Sequence, residues 1–454
     1  MNKEYKSNLL LRCVKLLNIL LVTVAFIVCW KAYYGYGVSR SLYIKGRLLV
    51  YFLYAILYIS LSRIYDGFNV QLGHISDLIS SQILALCISD FIIYIVICLL
   101  SAKIVNILPG ALCLIVQILL CSAWVYLTHR TYFKLNEPLT TAVIYKKDNN
   151  IDNLINSYGL SKRFNVVKNI KINDLKDNID CLNDIKTVFI KDVSSNDRNI
   201  ILKYCIKNNI DVYIVPEVGD VIFHGSREVN LFHLPLYKTS KYESDIEYLF
   251  IKRFFDILVS LVLLVITLPI TLITSICIKC NDKGPIFYKQ VRLTKGGKKF
   301  NILKFRSMRI DAEKDGVRLS SGDNDDRITS VGRVIRKYRI DELPQLLNIL
   351  KGDLTLVGPR PERPEIHDKY CEVFPEFNLR LQVKAGLTGL AQVYGKYNTT
   401  PYDKLKFDLI YISNLDFIND LKIILATIKI IFSSESTEGI DESQTTALKE
   451  TSDE

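Results

Sequence analysis

The chain reads as a membrane protein in three folded parts. These are a four-helix transmembrane bundle, a doubly wound α/β domain, and a mainly α-helical domain with one further membrane-inserted helix. Three observations carry this reading. Hydrophobic residues make up 49% of the 454 residues and crowd toward the N-terminus. Short β-branched runs alternate with helical patterns in the middle. Beyond them, one long apolar segment with an internal proline opens a strongly basic region, in a chain of net charge +11. The length alone allows two to four domains.

The first part, 1–132, rests on four apolar segments: 9–30, 48–61, 83–100 and 104–127. A membrane helix takes about 20 residues at about 1.5 Å rise each. The second segment reaches that length if it extends back to Tyr43, with Lys45 and Arg47 snorkelling. The first segment is too long for a cleavable signal peptide, lacks a small-residue cleavage site and is followed by further spans. Four spans return the chain to its starting side. Lys3, Lys6, Arg12 and Lys15 near one end, and Arg130 and Lys134 near the other, place both ends in the cytoplasm. The loop between the first two spans, with Lys31, Arg40, Lys45 and Arg47, runs against that rule. Asp90 lies inside the third segment, where an ionisable residue is a functional candidate by default. A polar interhelical contact to Gln117 is the favoured reading. The 11 cysteines are scattered, and Cys277-x-x-Cys280 has neither a second pair nor a suitably spaced histidine. That excludes a zinc site and leaves reduced thiols.

The second part, 133–245, alternates strand runs (141–145, 165–167, 187–190, 212–215) with helical patterns (151–158, 198–207). Such alternation predicts a parallel sheet of the Rossmann-like type. Dinucleotide binding needs a glycine-rich turn after the first strand, so that backbone can approach a pyrophosphate. Here the turn is Lys146-Lys147-Asp148-Asn149-Asn150, with no glycine. The expectation is a degenerate domain without dinucleotide, serving regulation or dimerisation.

The third part, 246–435, opens with the apolar helix 254–278, interrupted by Pro269. A proline inside a helix removes a backbone bond and bends it. Lys252 and Arg253 precede this segment, and Lys279 and Lys283 follow it. Positive charge at both ends favours a re-entrant hairpin bent at Pro269 over a kinked span. Next come the basic motif KFRSM, 304–308, and the run RKYRIDELPQLLNILKGDLTLVGPRPE, 336–362. Lys304 and Arg306 alternate with apolar residues, so one strand face can present both cations to an anion. Asp341 and Glu342 are adjacent, ahead of Pro344, with Arg336, Lys337 and Arg339 before them and Arg360 after, between Pro359 and Pro361. Arginines hold phosphate oxygens as rigid bidentate donors. One carboxylate of such a pair can hold a divalent cation while the other attacks phosphorus. A helix starting near Leu343 would aim its first amides at phosphate. A surface ion cluster at a helix start is the plainer reading of the pair taken alone. The basic stretch lacks the interleaved aromatics of single-strand binders, so no nucleic acid partner is expected.

Together, KFRSM (304–308), DDRITSVGR (325–333), RIDELPQLLNILKGDLTLVGPRPE (339–362), KAGLTGLAQVYG (384–395) and the run 408–432 resemble the bacterial sugar transferases. The layout resembles the large monotopic polyprenyl-phosphate glycosyl-1-phosphate transferases, with four N-terminal membrane helices and a Rossmann-like domain. The resemblance implies a two-step reaction. Asp341 attacks the β-phosphorus of a nucleotide diphosphate sugar, and undecaprenyl phosphate then takes the sugar phosphate from it. Glu342 matches the partner that binds magnesium, so Mg2+ is the implied cofactor. Lys304, Arg306, Arg336 and Arg360 are the expected phosphate-binding residues. The implied setting is the bacterial cytoplasmic membrane, with the catalytic domain on the cytoplasmic face, membrane lipid as a partner, and a homodimer.

Three positions depart from the family pattern. Leu268 replaces the usual serine before Pro269, with Thr267 placed to donate a compensating bond. Asp326 and Ala385 replace prolines, which bears on loop rigidity. The stretch 421–432, with Lys422 and Lys429 on one face, is expected to lie at the membrane interface in preference to packing as a core helix. The polar, acidic tail 436–454 is expected to be disordered. Two rivals remain. A scaffolding pseudoenzyme has no need of the carboxylate pair. A sugar epimerase or dehydratase needs the missing glycine fingerprint, and Tyr237 and Lys241 supply only an isolated Tyr-x-x-x-Lys spacing.

Overall fold

The computed structural model describes residues 3–35, 44–147, 150–177, 179–242, 245–309, 327–395 and 399–431. The tail 436–454, Asp325 and Asp326 lie outside the described residues. The chain divides into two compact units, Met1–Val215 and Pro216–Glu454.

The first unit begins with helices α1 (Lys3–Cys29), α2 (Ile44–Ile64), α3 (Ile75–Ser101) and α4 (Leu108–Leu135). All four are long and apolar enough to cross a membrane. Helix α2 does extend back through Lys45 and Arg47. Helix α3 starts before the expected 83 because its early serines satisfy themselves: Ser81 donates to Asp77 O at 2.6 Å. Helix α4 starts later than the expected 104, with Pro109 in its first turn, where a missing N–H costs least. Buried polar side chains tie these helices together. Tyr58 donates to Asn18 Oδ1 at 2.6 Å, and Gln117 donates to Val22 O at 3.2 Å and Tyr54 Oη at 2.8 Å. Asp90 lies beside Tyr54, the residue that accepts from Gln117, so the expected contact between Asp90 and Gln117 is not direct.

The same unit carries strands β1 (Leu139–Tyr145), β2 (Phe164–Lys171), β3 (Thr187–Lys191) and β4 (Asp211–Ile214). They pair in parallel, as the alternation predicts, in the order β2-β1-β3-β4. Ala142, Val143 and Ile144 are all fully buried, which marks β1 as a central strand covered on both faces. Ala142 and Ile144 pack with Ile201 and Cys205 of helix Ser195–Lys207, whereas Val143 packs with Ile151 and Ile155 of helix Ile151–Ser157.

The second unit has a core of Leu346, Ile349, Leu354, Phe377, Leu405 and Leu409, joined by Val218 and Val221. Its longest element is the helix Ile246–Asp282, hereafter the anchor helix, continuous through Pro269 over 37 residues. At about 1.5 Å per residue it is about 55 Å long, and it is the fifth helix apolar enough for a membrane. Pro269 deprives the Val265 carbonyl of its helical donor. The Thr267 hydroxyl serves an earlier turn, donating to Leu263 O at 2.7 Å, so it does not replace the lost bond as expected.

The N-terminal end of the anchor helix is fastened to the rest of the unit. Arg253 donates from Nη1 to Ile349 O at 2.6 Å and from Nη2 to Leu350 O at 2.7 Å. These are carbonyls in the last turn of the short helix Gln345–Lys351, where few amides remain to serve them; Ile349 O also accepts from Gly352 N at 3.0 Å. Asp256 accepts from Thr355 Oγ1 at 2.6 Å and from Leu356 N at 3.0 Å. Lys252 pairs with Asp420 at 2.6 Å. The strand Thr355–Val357 pairs in parallel with Gly386–Thr388, with Gly386 opposite Thr355. A Cβ at Gly386 would fall 2.1 Å from Gly358 N, so only glycine fits. Ala385 sits firmly despite the missing proline, accepting from Thr355 N at 3.0 Å and donating to Thr294 Oγ1 at 3.2 Å.

The last helix, Phe417–Ile431, packs Asp420 and Ile423 inward, with Thr427 bonded to Thr388 at 2.6 Å. Its other side exposes Ile418 and Leu421. It is a packed helix with one apolar side left open, where the interfacial reading expected the membrane to dominate.

Candidate active site

The site assembles where three segments meet: the hairpin strand Lys299–Phe305, the turn Ile340–Glu342, and the loop after Thr355–Val357. The turn is a single 3-10 turn. Arg339 enters it in the left-handed region, at φ 53°, which is costly for a residue with a Cβ. That reversal sets Asp341 and Glu342 side by side against the hairpin. The helix expected near Leu343 begins at Gln345, with Pro344 at its N-cap.

Lys304 Nζ donates to Glu342 Oε1 at 3.0 Å and lies 3.8 Å from Asp341 Oδ2. Arg360 Nη2 reaches the same Glu342 oxygen at 3.3 Å. Four of the residues expected from sequence therefore converge: Asp341, Glu342, Lys304 and Arg360. Arg336 stands slightly back, donating from Nε to Ser307 Oγ at 2.8 Å, and its charge still stabilises the Asp341 carboxylate. Arg306 follows the strand, which ends at Phe305, so it does not share a strand face with Lys304. It is buried with its guanidinium against Gly284, where a Cβ would fall 1.7 Å from Nη1.

The two carboxyls are electrostatically unlike. Burial pushes the Asp341 carboxyl up, Lys304 opposes that shift, and the charge of Glu342 adds to it. Burial also works against a charged Glu342, but Lys304, Arg360 and Arg339 outweigh it and hold this carboxyl well below the usual range. Glu342 in turn raises the Arg360 guanidinium further. Glu342 is therefore the more readily ionised of the two carboxyls and Asp341 the more basic.

Asn348 has no place in the sequence reading, yet it sets the geometry. Its Oδ1 accepts from Leu303 N at 2.9 Å and its Nδ2 donates to Asn301 O at 2.8 Å. One buried side chain thus locks the helix after the carboxylate turn to the strand that carries Lys304. A polar residue at a buried helical position, three after buried Gln345, was the signal available.

Among the described residues no group of three or more His, Cys, Asp and Glu could hold a metal. The donor set is the Asp341–Glu342 pair alone. That fits magnesium, which takes one or two carboxylates and completes its shell with water and substrate phosphate.

The family model described as "Bacterial sugar transferase" matches residues 247–434. A UDP-N-acetylgalactosamine-undecaprenyl-phosphate N-acetylgalactosaminephosphotransferase of Aeromonas hydrophila is 36% identical over 233 residues, 51% of this chain and 54% of the relative. The chain thus spans about half the length of that relative. A UDP-glucose:undecaprenyl-phosphate glucose-1-phosphate transferase of Caulobacter vibrioides is 38% identical over 191 residues, 41% of this chain and 71% of the relative. An undecaprenyl-phosphate galactose phosphotransferase of Salmonella typhimurium is 39% identical over 197 residues, 40% of each chain.

Proposed function

Since the chain belongs to the bacterial sugar transferase family, we propose that it transfers a sugar 1-phosphate from a UDP-sugar to undecaprenyl phosphate. The observation that carries this reading is the unlike carboxyl pair beneath Lys304 and Arg360. In the first step an Asp341 carboxylate oxygen attacks the β-phosphorus. The bond between that phosphorus and the bridging oxygen breaks, and UMP leaves with the electron pair. A sugar-phosphoryl-aspartate remains. In the second step a phosphate oxygen of undecaprenyl phosphate attacks the same phosphorus, and the Asp341 oxygen leaves. The product is undecaprenyl-diphosphate-sugar, the first membrane-bound unit of a surface polysaccharide.

The residues divide this work. Asp341 is the nucleophile, kept basic by burial. Lys304 and Arg360 neutralise phosphate oxygens, which makes the phosphorus open to attack by a weak nucleophile. Glu342 would hold Mg2+, which supplies further charge neutralisation on the diphosphate. Arg336 adds its charge beside Asp341, whereas Arg306, buried against Gly284, is not brought to the pair. The same reading places the catalytic unit on the cytoplasmic face, where UDP-sugars are found, with Pro269 as the bend of a re-entrant anchor helix and a homodimer as the assembly.

The test is UMP release by purified protein given undecaprenyl phosphate, magnesium and a panel of UDP-glucose, UDP-galactose and UDP-N-acetylgalactosamine. We expect release with one donor, reduced by about 10³-fold or more in Asp341→Asn, because the nucleophile itself is removed. Release that survives Asp341→Asn would discard the covalent route. Silence with every donor would discard the transfer reading.

A further inference from the structure

The loop that carries Arg360 is held in an unusual way. Pro359 and Pro361 have no N–H to offer, so the loop 359–362 must be fixed through its carbonyls. Each of the four has a donor. Pro359 O accepts from Gly386 N at 2.9 Å, and Glu362 O accepts from Leu293 N at 3.0 Å. The two between them are taken by guanidinium groups: Arg360 O accepts from Arg380 Nη2 at 2.8 Å, and Pro361 O from Arg292 Nη1 at 3.0 Å.

Those two arginines are themselves fixed. Arg380 is 5% exposed and pairs with Asp408, 1% exposed, at 2.7 Å. The Glu362 carboxylate stands between the arginines, with Oε1 3.7 Å from Arg380 Nη1 and Oε2 3.7 Å from Arg292 Nη1. Arg380 also lies over the Phe377 ring, 4.8 Å from its centroid. Arg292 is anchored at its other end, donating from Nη2 to Gln290 Oε1 at 2.7 Å. A buried arginine is expensive unless every charge around it is paired. Here two arginines, two carboxylates and four carbonyls converge on one four-residue stretch, from which the half-exposed Arg360 guanidinium faces outward.

We infer that Arg292 and Arg380 are positioning residues, which fix the Arg360 backbone and thereby aim its guanidinium at the phosphate beside Glu342. The inference rests on the transfer reading for what Arg360 does, but the restraint itself is a property of the fold. The bonds of both arginines go to the loop and its supports, not to Asp341 or Glu342. Each acts through Arg360, which separates them from Lys304 and from Arg360 itself.

A double-mutant cycle tests this. Arg380→Lys keeps the charge and loses the planar fork that bridges Asp408 and the Arg360 carbonyl. In the otherwise native protein it is expected to lower kcat/KM for UMP release about tenfold, and in an Arg360→Ala background less than twofold. An equal loss in both backgrounds would show that Arg380 acts independently of Arg360 and would overturn the inference. Arg292→Lys, run in parallel, repeats the cycle should Arg380→Lys fail to fold. Hydrogen exchange at the Arg360 and Glu362 amides gives a readout free of any donor. Faster exchange there in either lysine variant, with the rest of the unit unchanged, supports the restraint. Unchanged exchange overturns it, even if the wild-type protein releases no UMP from any donor and the transfer reading has failed.

Discussion

Two adjacent carboxyls at 341 and 342 share one lysine and are shifted in opposite directions, Asp341 up and Glu342 down. A third carboxyl, Asp408, extends the contrast to pH. Burial pushes it up to about 6, against the pull of Arg380, with Glu362 and Lys404 also facing it. Above that value Asp408 is ionised and the pair with Arg380 holds. Below it the pair lapses and the restraint on Arg360 loosens. UMP release is therefore expected to fall as pH drops through about 6, and Asp408→Asn should lose activity at neutral pH and flatten that limb. A limb that persists unchanged in Asp408→Asn would assign it to another group. The stability signs are opposite for two of these carboxyls. Glu342, with a depressed folded value, stabilises the fold above its unfolded value and loses that contribution as pH falls through its folded one. Asp408, with a raised value, contributes most below its unfolded value and loses that as pH rises through about 6. Asp341, Glu342, Lys304 and Arg360 were legible in the sequence because acid and base stand close together in short motifs. Arg292, Arg380 and Asp408 were not, since the loop they hold lies at 359–362 and each reaches it from a separate segment. Asn348 escaped for a different reason: its meaning lies in Asn301 and Leu303, which only folding brings to it.

At the scale of elements, the anchor helix is tied to the catalytic unit by three successive kinds of bond. Lys252 makes an ion pair, Arg253 caps a neighbouring helix, and Asp256 accepts from a strand. Asp256 is 5% exposed, and its loss leaves the Leu356 amide and the Thr355 hydroxyl unpartnered. Asp256→Ala is expected to destabilise the protein by about 2–4 kcal/mol, read as a lowered midpoint of thermal unfolding in detergent. A midpoint unmoved by the substitution would show that the tie is dispensable. The apolar pattern of this helix was plain in the sequence. Its continuity through Pro269 was not, because a proline read locally signals a break, whereas a helix packed along one side tolerates a single missing bond. The last helix shows the converse. Its lysines suggested an interface, but Asp420, Ile423 and Thr427 face the core, and that stripe is only recognisable once their partners Lys252, Tyr411 and Thr388 are known.

For the whole molecule, the order of elements follows from composition: apolar helices first, an alternating α/β segment next, a basic stretch last. The parallel pairing of the sheet was foreseeable from alternation, since strands joined by helices run parallel, whereas the order β2-β1-β3-β4 was not. The anchor helix, about 55 Å long by rise, exceeds the hydrocarbon core of a bilayer, about 30 Å. Such a helix must tilt, bend or leave part of itself outside. Whatever it does is passed on, because Arg253 grips the helix that follows the carboxylate turn and Asp256 grips the strand that precedes the Arg360 loop. Both halves of the candidate site thus hang from one lever that is long and apolar enough to enter lipid. Turnover should accordingly depend on acyl-chain length. In vesicles of short-chain and long-chain phosphatidylcholine, carrying equal amounts of folded protein and of substrate, UMP release is expected to differ. Equal rates across chain lengths would mean that the lever is slack. If it is taut, the membrane is a mechanical part of the enzyme, and its thickness sets the catalytic geometry as surely as any side chain does.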